Sequence, residues 1–371
     1  MRILFSFGGG LGHANPMVPI ARACAAAGHS VAFSGRASAT EILSGEGFEV
    51  FTDPDEGRRP PAEIAPLGKI DMEHEYAVLR AYFAGRLARS RVPGVGDVIG
   101  SWRPDVVVCD EVDYGGMVAA ELRGVPHETM LSLAPSFVAN SDVAGEVDAL
   151  RVKFGLPPEG DLLMPARTLV LSPFPTSLRD AEDVPGGRAI PFRHTVAVPG
   201  PRESTPLVYF TLGTEFNVES GDLFERVLAG LRSSEVDAVV TVGREIDPSR
   251  FGAQPQSIRI ERFVPQEEIL RDGDVMIHHG GSGSTLGALS FGRPMIAIPL
   301  GADQLLNASR CEELGVAIQL DAMTLAPEGV RDAVERLLGE PAFRRAAERI
   351  REEIAALPSA DAIVAALEEL T

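Results

Sequence analysis

Short runs of apolar residues recur along this chain, each followed by a helical pattern, and this alternation most constrains its fold. Arg2-Ile-Leu-Phe-Ser-Phe7, Asp105-Val-Val-Val-Cys109 and Pro294-Met-Ile-Ala-Ile298 are apolar almost throughout, not alternately apolar and polar. A strand of that kind is buried on both faces, which requires a parallel sheet with helices on either side. The first half reads as strand 2–7, a helix near 15–27 ending at Gly28, strand 31–33, helices near 37–45 and 72–92, strand 105–109, helix 113–123 and strand 126–131. After a stretch rich in proline and polar residues the alternation restarts. Strands are expected near 207–212, 236–242, 258–262, 274–278, 294–298 and 316–319, with helices between them. The expected fold class is therefore α/β, with two doubly wound Rossmann-like domains facing a cleft. The expected boundaries are 1–195 for the first domain, 196–206 for a linker, 207–350 for the second domain and 351–371 for a C-terminal helix.

Charge and cysteine content exclude several classes of function. A formal net charge of −19 argues against a nucleic-acid partner, since binding phosphate backbones needs a basic surface. An anionic ligand must then be held by local devices such as turns and helix ends. Cys24, Cys109 and Cys311 lie far apart, with no disulfide framework or metal-ligand spacing. That usage fits a reducing compartment. The chain opens directly on a strand, so a cytoplasmic location is expected. No apolar run reaches the roughly 20 residues that span a bilayer, so no integral membrane segment is expected.

Ligands of doubly wound folds bind at the carboxyl ends of strands, and the polar motifs of this chain fall there. After strand 274–278 comes His279-Gly-Gly-Ser-Gly-Ser284, leading into a helix. Such a turn presents unpaired N–H groups and the positive end of a helix dipole, which suits a diphosphate. Gly280, Gly281 and Gly283 supply the turn, and His279, Ser282 and Ser284 add side-chain donors. One βα unit later, Asp303 and Gln304 are suited to sugar hydroxyls. Thr214, after strand 207–212, reads as a phosphate ligand, a helix cap, or both. Diphosphate next to sugar suggests a nucleotide-sugar site. In the first half, His13 follows strand one in a glycine-rich loop, where it is either a general base or a cap for the helix that follows. Asp110, Glu111 and Asp113 are the carboxylates placed to support such a base, although Asp113 also suits a helix cap. The Gly8–Gly12 run is not a dinucleotide fingerprint. His13 stands where that motif needs glycine or alanine, and the second strand ends without the acidic ribose ligand. It reads instead as a tight turn that admits substrate close to the backbone.

Four separated motifs, in order, resemble family 1 glycosyltransferases, and most nearly the bacterial enzymes that glycosylate antibiotics and other natural products. They are Gly12-His-Ala-Asn-Pro16, Phe210-Thr-Leu-Gly-Thr214, Phe263-Val-Pro-Gln266, and His279–Ser284 with Gly301-Ala-Asp-Gln304. The family usually has threonine at the position of Ser284; either hydroxyl can bond a phosphate. The resemblance implies the GT-B architecture, an acceptor-binding first domain, a donor-binding second domain and a final helix that packs back on the first. It implies that His13 is the catalytic base, with Asp110 as its partner. It also implies that Val264 binds the nucleotide base, with Gln266 beside it at the base or ribose. The expected reaction is inverting transfer from a dTDP- or UDP-sugar to a small hydrophobic acceptor. No cofactor is expected beyond that co-substrate. No metal is expected either, because the donor site has no Asp-x-Asp cluster. The chain is compatible with a homodimer.

Two rival functions fit the same fold. One is transfer to a lipid or cell-wall precursor, which the strong acidity and the lack of a basic, apolar docking face oppose. The other is a catalytically silent helper that only stabilises a partner. Retention of His13, Asp110 and the whole donor turn argues against it.

Overall fold

The computed structural model describes residues 1–53, 64–162, 164–166, 169–179, 189–195, 200 and 205–370. These divide into two compact units: Met1–Arg58 with Glu73–His194 and Leu357–Thr371, and Arg59–Met72 with Thr195–Ala356. Most of the linker expected at 196–206 lies outside the described residues.

In the first unit the strands are β1 (Arg2–Ser6), β2 (Ser30–Gly35), β3 (Glu49–Thr52), β4 (Val106–Asp110), β5 (His127–Met130), β6 (Val170–Ser172) and β7 (Ala189–Pro191). They form one parallel sheet in the order β3-β2-β1-β4-β5-β6-β7. Ile3, Leu4, Phe5, Val106, Val107 and Val108 are all fully buried, so both faces of the central strands are covered, as their unbroken apolar sequences require. The helix expected at 15–27 comes in pieces. Leu11–Ala14 is followed by a 3₁₀ turn, Asn15–Met17, and then by the helix Val18–Ala26. The break falls at Pro16, which has no N–H to continue the ladder.

The helix expected at 72–92 is also composite. Met72–Val78 leads into a π-helical stretch, Leu79–Leu87, and then into Ala88–Trp102.

In the second unit the strands are β8 (Leu207–Thr211), β9 (Asp237–Thr241), β10 (Ile258–Glu261), β11 (Val275–His278), β12 (Met295–Ala297) and β13 (Ala317–Gln319). Their order is β10-β9-β8-β11-β12-β13, again all parallel. Each sheet thus reverses its strand order once, between β1 and β4 and between β8 and β11. Ligands of such sheets bind at that crevice, outside the carboxyl ends of the strands. Ile64 and Leu67 pack on the core of the second unit. Ala65 fixes them there through backbone bonds with Val218 (2.7 Å) and Gly221 (2.9 Å). Residues 54–63 lie outside the described residues.

The return to the first unit begins later than residue 351. Helix Pro341–Ala356 runs unbroken past that point, because its sequence holds no breaker before Pro358. Ser359 then precedes the helix Ala360–Glu368. Its Ile363, Val364 and Leu367 are buried in the core of the first unit. Each contributes up to roughly 1.5–3 kcal/mol by leaving water. No helix among the described residues is long and apolar enough to cross a membrane.

Candidate active site

At the switch point of the first sheet, His13 lies in the short helix after β1, and Asp110 is the last residue of β4. β1 and β4 pair in register, Ser6 against Cys109, which brings the two connections together. His13 Nδ1 stands 2.8 Å from Asp110 Oδ2. Asp110 is fully buried, while the His13 side chain keeps 17% of its surface exposed. Donation from Nδ1 to the carboxylate leaves the lone pair of a neutral ring on Nε2. The Ser132 hydroxyl, just beyond β5, donates to Asp110 Oδ1 and secures its other oxygen.

The imidazole is also held on its flanks. A Cβ built on Gly9 would lie 2.0 Å from His13 Cδ2 and 2.4 Å from Nε2. The ring of Phe83 stacks on it with centroids 5.8 Å apart. The close backbone approach that the Gly8–Gly12 run was expected to offer a substrate is, at Gly9, occupied by the histidine ring.

The two competing carboxylates are committed elsewhere. Glu111 accepts from the Ser132 and Leu133 amides at 2.6 and 2.7 Å and pairs with Arg179 at 3.3 Å. Asp113 caps the helix Tyr114–Arg123 through the Gly116 amide at 3.0 Å and meets Arg91 Nε at 2.7 Å. Burial alone would push the Asp113 carboxyl up. The Arg91 guanidinium, with hydrogen bonds from Ser6 and Gly116, outweighs that and holds it below the usual range. Asp53 completes this buried group by pairing with Arg91.

At the switch point of the second sheet, β8 and β11 pair with Thr211 against His278. His278 is a structural residue. Its Nδ1 accepts from the Gly280 amide at 3.0 Å, and its Nε2 faces Met295 Sδ at 3.2 Å. Burial, with His279 beside it, pushes its pKa down to about 3. The His279 ring fits a slot between two glycines. A Cβ on Gly213 or on Gly281 would come within 2.6 or 2.5 Å of it. Phe216 covers it at a ring distance of 5.9 Å. Burial pushes the His279 pKa down to about 4, so the ring is neutral at pH 7. Its Nδ1 is buried without a hydrogen-bond partner among the described residues, an arrangement rare enough to need a reason.

The turn amides do not all remain open. The Gly280 N–H is spent on His278, and the Gly280 carbonyl accepts from Asn307 Nδ2 at 3.0 Å. Gly280 is required by its φ of +90° and by the Gln304 backbone oxygen, 2.7 Å from where a Cβ would stand. The Ser282 hydroxyl is also engaged, donating to Asp303 Oδ2 at 3.1 Å and accepting from Asn307 Nδ2 at 3.0 Å. What remains is the start of the helix Ser282–Ser290. Its first closing bond runs from Thr285 N to Gly281 O at 3.0 Å. The N–H groups of Ser282, Gly283 and Ser284 therefore have no intrahelical acceptor. Gly283 is exposed and Ser284 half-buried.

Asp303 and Gln304 sit at the start of the next helix and are nearly buried, at 6% and 1% exposure. Gln304 Oε1 accepts from the Leu300 and Gly301 amides at 2.8 and 3.3 Å, shaping the loop after β12. Thr214 is exposed in the turn after β8 and is not a cap: Glu215 holds that position, without a side-chain bond. Val264 is half-buried before the helix Gln266–Asp272. The Gln266 amide lies over Gly287, where a Cβ would come within 1.8 Å of Nε2. Arg262 ties two strand-end loops together by donating to the carbonyls of Arg244 and Ile246 at 2.9 and 3.1 Å.

The sequence reading missed Gly9, Phe83, Ser132 and Asn307. Ser132 and Asn307 carried a usable signal: one follows a strand end, and the other lies one helical turn after Asp303. Phe83 carried none, being 70 residues from His13 and surrounded by ordinary helix formers.

Residues 225–370 match the family model described as "Erythromycin biosynthesis protein CIII-like, C-terminal domain". The chain is 30% identical to the L-demethylnoviosyl transferase of Streptomyces niveus, over 97% of its own length and 95% of the relative's. It is 29% identical to the 10-deoxymethynolide desosaminyltransferase of Streptomyces venezuelae, over 100% and 97% of the two chains. Among solved structures, the spinosyn rhamnosyltransferase SpnG complexed with thymidine diphosphate superposes with a TM-score of 0.82, at 24% identity, over 99% of this chain and 100% of that one. SnogD from Streptomyces nogalater superposes at 0.79 with 25% identity, over 100% and 99%. With two parallel-sheet α/β units and full-length likeness to these enzymes, the chain belongs to the family 1 GT-B glycosyltransferases, among the enzymes of antibiotic biosynthesis.

Proposed function

We propose that this chain is an inverting glycosyltransferase that moves a sugar from a dTDP- or UDP-linked donor to a hydroxyl of a small, hydrophobic natural product. The observation that carries this reading is the His13–Asp110 pair, 2.8 Å apart at the switch point of the first sheet. His13 Nε2 takes the proton of the acceptor hydroxyl as its oxygen attacks the anomeric carbon opposite the diphosphate. The bond from that carbon to the diphosphate oxygen breaks, and the electron pair leaves with the diphosphate. Asp110 stabilises the imidazolium and keeps its orientation.

On the donor side, the open amides of Ser282, Gly283 and Ser284, with the helix dipole behind them, take the diphosphate charge. His279, Thr214 and the Ser284 hydroxyl add donors, and the partnerless Nδ1 of His279 supports that role. Val264 and Gln266 address the nucleotide, and Asp303 and Gln304 the sugar. These devices stand in for a cation, so transfer should persist in excess chelator. Loss of activity that magnesium restores would refute the metal-free part.

The test of the whole reading is His13→Ala. It should keep the fold and nucleotide diphosphate affinity while losing roughly 10²–10⁴-fold in rate on an unactivated alcohol. Near-full activity would place the base elsewhere. SpnG is complexed with thymidine diphosphate, so dTDP is the first nucleotide to compare with UDP.

A further inference from the structure

The π-helical stretch Leu79–Leu87 interrupts an otherwise α-helical run. Its hydrogen bonds span one residue more than those of an α-helix, an arrangement found mostly as short insertions at functional sites. Gly85 suits it: a Cβ there would press on the Arg80 carbonyl, five residues back, at 3.2 Å. The stretch delivers Phe83 onto His13, with ring planes 28° apart and centroids 5.8 Å apart. Tyr82 meets Phe83 edge-on, at 5.2 Å and 87°. The Arg86 guanidinium stands over the Tyr82 ring at 4.9 Å and steadies it.

Phe83 and Tyr82 are only half-buried, unlike the core aromatics Phe5, Phe7 and Phe33, which are fully buried. Pinning His13 would need no more than an aliphatic group of the same size. An aromatic pair that stays partly open beside a partly exposed histidine leaves aromatic surface accessible next to the candidate base. Such surfaces reward flat π systems in offset or edge-on contact beyond the area they bury.

We propose that Phe83, backed by Tyr82, is the specificity-determining wall of the acceptor subsite, selecting acceptors whose reacting hydroxyl is carried next to a planar aromatic ring. This rests on the reading of His13 as the base. The preference over a saturated ring of the same skeleton should be roughly 2- to 10-fold, the size of an aromatic pair contact.

The probes are 2-naphthalenemethanol and its decahydro counterpart, primary alcohols that differ in ring flatness. Calorimetry without any sugar donor gives the ratio of their dissociation constants. The wild type should favour the naphthalene. Phe83→Leu should bring the ratio close to one, mainly by weakening the aromatic probe, and Phe83→Trp should restore it. Thermal melting and nucleotide diphosphate binding report whether each variant is folded. In the transfer assay, the same change should appear in the acceptor KM more than in kcat. A wild-type ratio near one, no binding of either probe, or a Phe83→Leu variant that weakens both probes alike would overturn the proposal. Flat-selective binding that depends on Phe83, with no transfer from any nucleotide sugar, would instead keep the subsite and sink the transferase reading.

Discussion

Gly9→Ala should disable the candidate base while leaving the histidine itself in the sequence. The methyl group would arrive 2.0 Å from His13 Cδ2, whereas ordinary contact begins near 3.4 Å, so the ring must retreat by about 1.4 Å. It has little freedom to do so. Asp110 holds Nδ1 at 2.8 Å, and Phe83 stacks on the ring. Retreat breaks the bond to a buried carboxylate, at a cost of about 1–3 kcal/mol. For a unit of this size that lowers Tm by roughly 2–12 °C. A displacement of about 1 Å at a reacting group costs on the order of 10²-fold in rate, and loss of the base contribution sets a ceiling near 10⁴. The assay is kcat/KM on an unactivated alcohol acceptor, beside calorimetric binding of the nucleotide diphosphate, which should not change. Gly12→Ala is the matched control, because a Cβ there meets nothing within 4 Å among the described residues; it should fold at least as stably as the wild type. If Gly9→Ala keeps more than about a third of wild-type kcat/KM at an unchanged Tm, the constriction around His13 is not what orients it.

Three further outcomes follow from the second unit. Burial depresses His278 and His279 to about 3 and about 4, so below about pH 6.5 the unfolded chain binds protons that the folded chain refuses. The stability they contribute is complete above that pH and is lost as pH falls toward those values, by a few kcal/mol in urea titrations; His279→Asn should flatten the slope, and an unchanged slope would remove His279 as a cause. Gly287→Ala would bring a methyl within 1.8 Å of Gln266 Nε2, the flexible end of a side chain. Thermal melting should barely change while calorimetric nucleotide affinity drops several-fold; unchanged affinity would leave Gln266 a helix-start residue only. Asp303→Ala removes the acceptor of the Ser282 hydroxyl and should harm transfer from a donor with free sugar hydroxyls more than it harms binding of the bare diphosphate. Equal losses would mark Asp303 as purely structural.

The sheets were legible because their central strands are buried on both faces, so Ile3–Phe5, Val106–Cys109 and Val275–Ile277 carry no polar interruption. Of the short strands, β12 and β13 were expected, but β3, β6 and β7 were not. β3 has four residues, β6 and β7 three each, too few to show any period. The π-helical stretch was invisible for another reason: its residues lie inside a run that reads as one continuous helix. In the candidate site, strand-end position and residue type, together with the family motifs, singled out His13, Asp110 and His279, and the structure brings the first two within hydrogen-bond distance. Local pattern could not show that the Gly280 carbonyl and the Ser282 hydroxyl are already spent, since their partners, Asn307 and Asp303, lie more than 20 residues on. The choice among Asp110, Glu111 and Asp113 turned on Arg179 and Arg91, cations far away in sequence that claim two of the three.

The helix Ala360–Glu368 has a consequence for how the protein is made. It supplies Ile363, Val364 and Leu367 to the core of the first unit, yet it follows the whole second unit along the chain. On the ribosome, domains generally close in the order in which they emerge. Here that order inverts: the second unit has all its strands before the first has its last buried side chains. The half synthesised first is completed last. Until then the face of the helix Val18–Ala26 that this helix covers stays open, and the nascent first unit waits for its last buried side chains while the whole second unit is made.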